Sequence, residues 1–471
     1  MTFGTALAVI GALILPALVA VAAWRAIATA RTPQGAVGWV VFLLSAPWFA
    51  LPSYILFGQS KFRGYVVSRR NSQRVIEALD DFAESHAPSG APDPSIPAFE
   101  KIAGMPAVGG NTMEILVDGT ATFAAVFDAI DRAKTYILVQ FYILRNDTIG
   151  RDFADRLKAA ASRGVTVRVI YDGVGSYSLD RSYTDGLERA GIRVVDPGSA
   201  RGPTSPLQIN FRNHRKTVIV DGQIGFTGGH NVGDEYLGRD KSIGRWRDTH
   251  VAIEGPMVQQ LQLAFAEDWH WATGETLDNS LRWTPQDADD DMTGLIVPTG
   301  PVDEMDSGSL LFLTAIIAAR RRIWIASPYF VPDSIVLSAL IQAGLRGVDV
   351  RLLVPDQIDH YLPWLAAFAY FDEVRDAGVT VYRYTDGFMH QKVFLADDGI
   401  AGIGTTNLDN RSFRLNFEAM AVFFDAVAAA RVEEMLESDF AKARMMTERL
   451  SEQGLKLRVG APLARLLAPL L

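Results

Sequence analysis

The sequence has no cysteine. That excludes disulfides, thiolate nucleophiles and cysteine-based metal sites, and leaves the redox compartment undetermined. A surplus of positive charge is missing too: 45 Lys+Arg stand against 54 Asp+Glu, a formal −9 at pH 7, which argues against a bulk nucleic-acid binder. Nor does any stretch show the clustered carboxylates and histidines that a two-metal hydrolase needs.

What the chain does have, at one end, is long uncharged runs. Hydrophobic residues make up 49% of it, with the excess at the N-terminus. Ala6 to Trp24 is apolar, Arg25 and Arg31 break the run, and Val37 to Phe57 is a second. Each run is about 20 residues, which at about 1.5 Å per residue spans a hydrocarbon core of about 30 Å. Met1 to Thr5 carries no basic n-region, so a signal peptide is disfavoured. The reading is a two-helix transmembrane hairpin over residues 1–60. Pro16, Pro47 and Pro52 keep a re-entrant or interfacial second segment open. Lys61, Arg63, Arg69, Arg70 and Arg74 follow the second run and outnumber Arg25 and Arg31, which places the large domain on the cytoplasmic side. Residues 61–110 read as this basic juxtamembrane segment followed by a Pro- and Ser-rich tether, His86 to Pro97.

From Asn111 onward strands alternate with helices, and the order occurs twice, over 111–285 and 286–450. His214, Lys216, Asp221, Gly228 and Asn231 recur at His390, Lys392, Asp397, Gly404 and Asn407, each 176 residues on (390 − 214). Five matched positions without a gap imply an α/β fold of two homologous halves with mixed sheets, packed about a pseudo-two-fold axis. The remaining residues, 451–471, carry Lys456, Arg458 and Arg465 among apolar side chains. They suit either a membrane-surface segment or a helix packed on the domain.

A two-fold axis beside the motifs brings His214 and His390 to one cleft. The alternation around each motif reads as a strand, with His214 and Lys216 on one face. Two histidines on opposite sides of a phosphorus suit in-line displacement, one attacking and the other protonating the leaving oxygen. Lys216 and Lys392 supply fixed charge for the non-bridging oxygens, and Asn231 and Asn407 further hydrogen bonds. The lysines take the electrostatic role of a metal, so neither a metal ion nor another cofactor is required. Each histidine needs an acid to orient it. Glu418 is the expected partner of His390, and Asp248 that of the first half. Asp221 and Asp397 are counted with the catalytic set as members of the motif, although they precede Gly222 and Asp398-Gly399, where an aspartate capping a turn is the simpler role. His86, His230, His250, His270 and His360 have no counterpart at the 176 offset and are assigned structural or surface roles.

The pattern His214-x-Lys216-x4-Asp221-x6-Gly228-x2-Asn231 and its copy from His390 to Asn407 resemble the paired HKD motifs of the phospholipase D superfamily. The resemblance runs from about residue 110 to 445. The two apolar runs, Arg31 to Trp39, Phe57-Gly58, Ser327 to Pro332 and the terminal Leu466 to Leu471 are similar to bacterial cardiolipin synthases. One departure is Gln140, where the family leads one to expect glutamate. The resemblance implies two phospholipase D-like α/β/α halves behind a membrane anchor in the bacterial inner membrane. It implies a phosphatidyltransferase that joins two phosphatidylglycerols into cardiolipin and glycerol through a phosphatidyl-histidine. Its partners would be phosphatidylglycerol and anionic membrane lipids, with no nucleic acid. By analogy His214 is the nucleophile and His390 the acid and then base, with the reverse assignment open. Hydrolysis to phosphatidic acid is the rival outcome, and a non-catalytic lipid-binding protein a remote one.

Overall fold

The computed structural model describes residues 3–30, 33–58, 86–88, 93–198, 211–286 and 288–471. Arg31, the basic cluster Lys61, Arg63, Arg69, Arg70 and Arg74, and the middle of the expected tether lie outside the described residues. The chain divides into two compact units, Met1–Val66 with Arg201–Phe211, and Val67–Ala200 with Arg212–Leu471.

Among its described residues the first unit holds three helices rather than two. Phe3–Thr29 is one, and the second apolar run is split into Pro33–Ser45 and Pro47–Phe57. The break is at Ala46, held at φ −142° and ψ 61°. Pro47 has no N–H to continue the ladder and disfavours helical geometry in the residue before it. The helices pack through Val19, Ala22 and Ala26 against Leu43, Ala50 and Tyr54. Trp24, Trp48 and Phe49 point outward. Among the described residues no helix is long and apolar enough to cross a membrane.

Among the described residues the second unit is built on one 16-stranded mixed sheet; apart from the edge strand Ala443–Met445 and Arg212–Asn213, which branches off beside Asn416–Phe423, its order is the same read from either end. From one edge run Arg193–Val195, Thr166–Tyr171, Tyr136–Phe141, Thr217–Val220, Ile224–Gly228, Thr249–Glu254 and Val108–Val117. The second half then mirrors them: Met292–Thr299, Asn416–Phe423, Ile400–Gly404, Val393–Ala396, Arg322–Ala326, Asp349–Pro355 and Thr380–Tyr384. Thus the halves do not form separate sheets. They join edge to edge where Val108 pairs with Gly294 and Asn111 with Met292. The Asn111 amide donates to the carbonyls of Val108 (2.8 Å) and Met292 (2.9 Å), and its oxygen accepts Met257 N–H (2.8 Å), so one side chain pins the seam.

Central strands such as Tyr136–Phe141, Thr217–Val220, Met292–Thr299 and Asn416–Phe423 are buried at every position because both faces are covered. In the first half Phe123, Phe127, Phe153 and Leu157 of the outer helices cover Ile137, Val139 and Val218. On the other face Leu261, Phe265 and Trp269 of the Met257–Thr273 helix meet Leu138, Ile170 and Ile219. That inner core also contains Val393, Leu395, Ile403, Val432 and Leu436 of the second half, so the halves share it. Aspartates at helix starts do the capping expected of them, as where Asp147 accepts Gly150 N–H at 2.9 Å and Asp333 accepts Val336 N–H at 2.9 Å. Part of the expected tether is a helix, Ile96–Ala103, whose Ile96, Phe99 and Ile102 pack into the second half's core. The tail also contains a helix, Leu455–Arg465.

Candidate active site

The two His-x-Lys motifs are not on strands. Residues 214–216 and 390–392 are the irregular links between a two-residue strand and a sheet strand. The reason is an exchange between halves. Arg212–Asn213 pairs in parallel with Asn416-Phe417 of the second half, and Phe388–Met389 pairs with Trp246-Arg247 of the first. The chain must leave this pairing to enter its own sheet, and the motif occupies the crossing. The exchange continues into the motif itself. His214 N–H donates to Phe417 O at 2.9 Å, and His390 N–H to Arg247 O at 2.8 Å.

This crossing reverses the expected acid pairing. His214 Nδ1 lies 2.8 Å from Glu418 Oε2, and His390 Nδ1 lies 2.9 Å from Asp248 Oδ2. Each acid therefore serves the histidine of the other half, because each sits one residue beyond the dipeptide, Asn416-Phe417 or Trp246-Arg247, on which the opposite motif is docked. An ionised carboxylate only accepts, so Nδ1 carries the proton and Nε2 keeps its lone pair. The acids are themselves held: Asn416 donates to Glu418 at 3.0 Å, and Thr249 N–H and Trp246 Nε1 donate to Asp248 at 2.8 and 3.3 Å.

Glu418, Asp248, Lys216 and Lys392 are essentially fully buried, and the histidines keep under a tenth of their surface open. Burial drives both imidazoles down to about 4. For His214 it is opposed by Glu418 and assisted by Lys216, and for His390 it is assisted by Lys392 and opposed by Asp248. Burial lowers Lys216 to about 7 and Lys392 to about 8, against the pull of Glu418 and Asp248. Burial also resists ionisation of the acids, but His214 and its lysine outweigh it at Glu418, and His230, Lys392 and His390 do so at Asp248. Between about pH 4 and 7 the site thus holds two ammoniums, two carboxylates and two neutral imidazoles, and a bound anion favours the charged form of each lysine. Lys216 Nζ donates to His214 O at 2.6 Å, while Lys392 Nζ donates to His390 O and lies 2.9 and 3.1 Å from that ring's nitrogens. The Tyr142 ring stands edge-on to His214 at 5.0 Å, and Trp246 packs on His390 at 5.1 Å.

Asp221 and Asp397 lie elsewhere. Each ends its strand, about 16 Å from the motif lysine at about 3.3 Å per residue. Asp221 accepts the N–H groups of Lys134, Thr135 and Tyr136 at 2.7–3.0 Å and the Thr135 hydroxyl at 2.6 Å. Asp397 accepts those of Arg320, Arg321 and Arg322 at 2.8–2.9 Å. Both have positive φ, 55° and 51°, which aspartate tolerates better than most residues. They cap the start of the neighbouring strand and do not touch the histidines.

Asn231 spans two loops rather than opening toward the cleft, accepting Ile143 N–H at 3.1 Å and donating to the Tyr236 hydroxyl at 2.9 Å. The Asn407 carbonyl oxygen is buried without a described partner. The motif glycines have a steric cause. A Cβ at Gly404 would lie 2.2 Å from Ala419 O, and one at Gly228 2.5 Å from Thr249 O. Only glycine lets these strands lie so close to the acid-bearing ones.

Sequence reasoning missed a buried support behind each motif. Arg215 donates to Asp268 at 2.9 Å and to the carbonyl of Glu418 at 3.0 Å. Arg247 grips Asp439 through two bonds of 2.7 and 2.6 Å and donates to the carbonyl of Asp248 at 2.5 Å. Each arginine thus fixes the backbone of a histidine-orienting acid. The signal was present in part, as an arginine inside one motif and another before Asp248. Gln140 is explained here. Its amide donates to Asp268 at 2.5 Å, beside Asn213 at 2.8 Å. A glutamate would put a second carboxylate against Asp268.

Comparison with known proteins agrees with this arrangement. The family described as "Cardiolipin synthase, PLD-like domain" matches residues 126–269 and 312–440, one stretch in each half. Cardiolipin synthase A of Pseudomonas fluorescens (strain Pf-5) is 44% identical over 460 residues, covering 96% of both chains. That of Pseudomonas syringae pv. syringae is 44% identical over 467 residues, covering 96% of this chain and 95% of the other. Among solved structures, a phosphatidylserine synthase from Haemophilus influenzae superposes with a TM-score of 0.59 at 14% identity, over 80% of this chain and all of that one, a likeness of fold.

Proposed function

Since the chain belongs to the cardiolipin synthase, PLD-like domain family, we propose that it is a phosphatidyltransferase making cardiolipin and glycerol from two phosphatidylglycerol molecules. The observation that carries this reading is the pair of buried, carboxylate-oriented imidazoles with a lysine beside each. Lys216 and Lys392 hold the non-bridging oxygens of the first lipid's phosphodiester. The His214 Nε2 lone pair attacks phosphorus, and the bond to the glycerol oxygen breaks. His390 gives that oxygen a proton and glycerol departs, leaving phosphatidyl-His214. Neutral His390 then takes the proton of the second lipid's terminal hydroxyl as that oxygen attacks phosphorus, and His214 is released. The bound phosphodiester supplies the negative charge that raises His390's proton affinity and draws Lys392 from its ring. The unpaired Asn407 oxygen is an acceptor for a glycerol hydroxyl.

The substrates are bilayer lipids, and the N-terminal unit shows outward Trp24, Trp48 and Phe49 over an apolar three-helix core. These features support a unit embedded in the bacterial inner membrane as a multi-pass anchor with the second apolar run bent at Pro47, and the excess of Lys61, Arg63, Arg69, Arg70 and Arg74 over Arg25 and Arg31 in the sequence favours the cytoplasmic side for the catalytic unit. Reconstitution with phosphatidylglycerol as sole lipid tests the reaction. Cardiolipin with an equivalent of glycerol is expected. Phosphatidic acid in its place would make the protein a hydrolase.

A further inference from the structure

We propose that the Leu455–Arg465 helix and the start of the Tyr361–Asp376 helix form a docking surface for an anionic lipid bilayer, independent of the N-terminal helices. The expected alternatives for the tail, surface segment or packed helix, turn out to be two faces of one element. Its inner face is settled by contacts. Ala461 and Ala464 are buried, and Gly460 lies so close that a Cβ would stand 3.1 Å from Leu365. Arg465 reaches the Ala369 carbonyl at 3.4 Å and stacks on Tyr370 at 4.4 Å. Gly460 meets Leu365 and Arg465 meets Tyr370, so the two helices run in the same direction with their N-terminal ends together.

The outer face carries Leu455, Val459, Leu463 and Leu466, 73, 52, 59 and 76% exposed. Spacings of four, four and three residues keep them in one row. Beside its N-terminal end lie exposed Tyr361 and Leu362 of the neighbouring helix and Ile358 just before that helix. Single exposed leucines are ordinary; a continuous row is not. Charge identifies what covers it. Lys456 and Arg458 stand on opposite shoulders of the row, since successive residues turn by about 100°. Both are exposed, and neither has a described carboxylate partner. An apolar stripe between unpaired cations is complementary to acyl chains below anionic head groups.

Both ends of this surface touch groups near the cleft. His360 precedes Tyr361, and its Nδ1 lies 2.8 Å from Asp359 and 3.0 Å from the Tyr329 hydroxyl. The Asp359 carboxylate acts electrostatically on His390 and Lys392. At the other end the Leu471 carbonyl accepts Arg411 N–H at 2.7 Å, and Arg411 interacts electrostatically with Tyr142. A bilayer seated on the row therefore lies beside residues that act on the site, Asp359 on His390 and Lys392 and Arg411 on Tyr142.

The chain's lack of cysteine makes the test direct. Val459→Cys in the full-length protein is labelled with an environment-sensitive dye and reconstituted in phosphatidylcholine vesicles with or without about a third phosphatidylglycerol. A label on Glu188→Cys, an exposed position, serves as reference. With phosphatidylglycerol present, the Val459 dye is expected to shift to the blue and to be quenched several-fold more by nitroxide lipids than the reference. Lys456→Glu with Arg458→Glu should remove most of that difference. A Val459 dye that stays open to aqueous iodide in anionic vesicles overturns the proposal. So does one shielded from both water and lipid, which would mean a second copy of the chain covers the row. Equal quenching without phosphatidylglycerol overturns the part assigned to the cations. None of these readouts uses turnover, so they stand or fall apart from the reaction proposed above.

Discussion

Glu418→Gln keeps the shape of the side chain facing His214 but removes the charge that fixes its Nδ1 proton. Turnover should fall by about 10²–10⁴-fold, as when a histidine-orienting carboxylate is lost elsewhere, with little change in KM, read by cardiolipin formation. Rapid-quench trapping separates the steps. His390→Asn should still form phosphatidyl-His214 from a lipid with a good leaving group, and His214→Ala should not. If His214→Ala is labelled and His390→Asn is not, the two roles are exchanged. On the alkaline side, kcat/KM should decline as Lys216 and Lys392 lose their protons near 7 and 8, and Lys216→Arg should move that limb upward. Stability carries the opposite limb. His214, His390 and His230 are held at about 4 in the folded protein against about 6.5 unfolded. The unfolded chain binds more protons between these values, so stability falls as pH drops from about 6.5 to 4, by roughly 3 kcal/mol for each histidine. Thermal melts from pH 7 to 4.5 check this. The histidines and lysines were legible from the 176-residue repeat alone. Their acids were legible as residues but not as pairs, because sequence spacing suggests a partner in the same half while strand exchange supplies one from the other.

Strands and their caps explain the rest of the motif. Asp221→Ala loses four hydrogen bonds at the start of the Tyr136–Phe141 strand and places alanine at φ 55°. A loss of about 2–4 kcal/mol is expected in urea melts, with kcat nearly preserved in the folded fraction. The turn dipeptides after both aspartates made this role readable in advance. The Arg247–Asp439 pair was not readable, since its members are 192 residues apart and meet only when a helix of the second half covers a strand of the first. Asp439→Asn leaves the Arg247 charge buried and underpaired and should cost about 3–5 kcal/mol, while Arg247→Met with Asp439→Leu should recover much of that in stability but not in turnover. The helix and strand pattern of both halves was legible because most elements are bounded by glycine or by aspartate caps. The break at Pro47 was legible only as a kink, and the Ile96–Ala103 helix was hidden by the proline-rich composition before it.

At the scale of the molecule, the continuous sheet and the shared inner core make the catalytic unit one folding entity rather than two tandem domains. Equilibrium unfolding of residues 93–471 should be a single transition by circular dichroism and by tryptophan fluorescence. A chain ending at residue 285 should lack native near-ultraviolet signal, since its Val108–Val117 strand loses Met292–Thr299 and its Met257–Thr273 helix loses half of its core. Two halves were visible in the sequence; their fusion was not, because a repeat reports what is alike and not how the copies touch. The exchanged acids also order events in time. Glu418 follows His214 by 204 residues, which at roughly 5–20 residues per second of synthesis means about 10–40 s. During that interval the proposed nucleophile is present on the ribosome without the carboxylate that orients it. A nascent chain near the membrane therefore cannot begin to cleave the lipids around it, and chemistry starts only when synthesis of the second half is nearly complete.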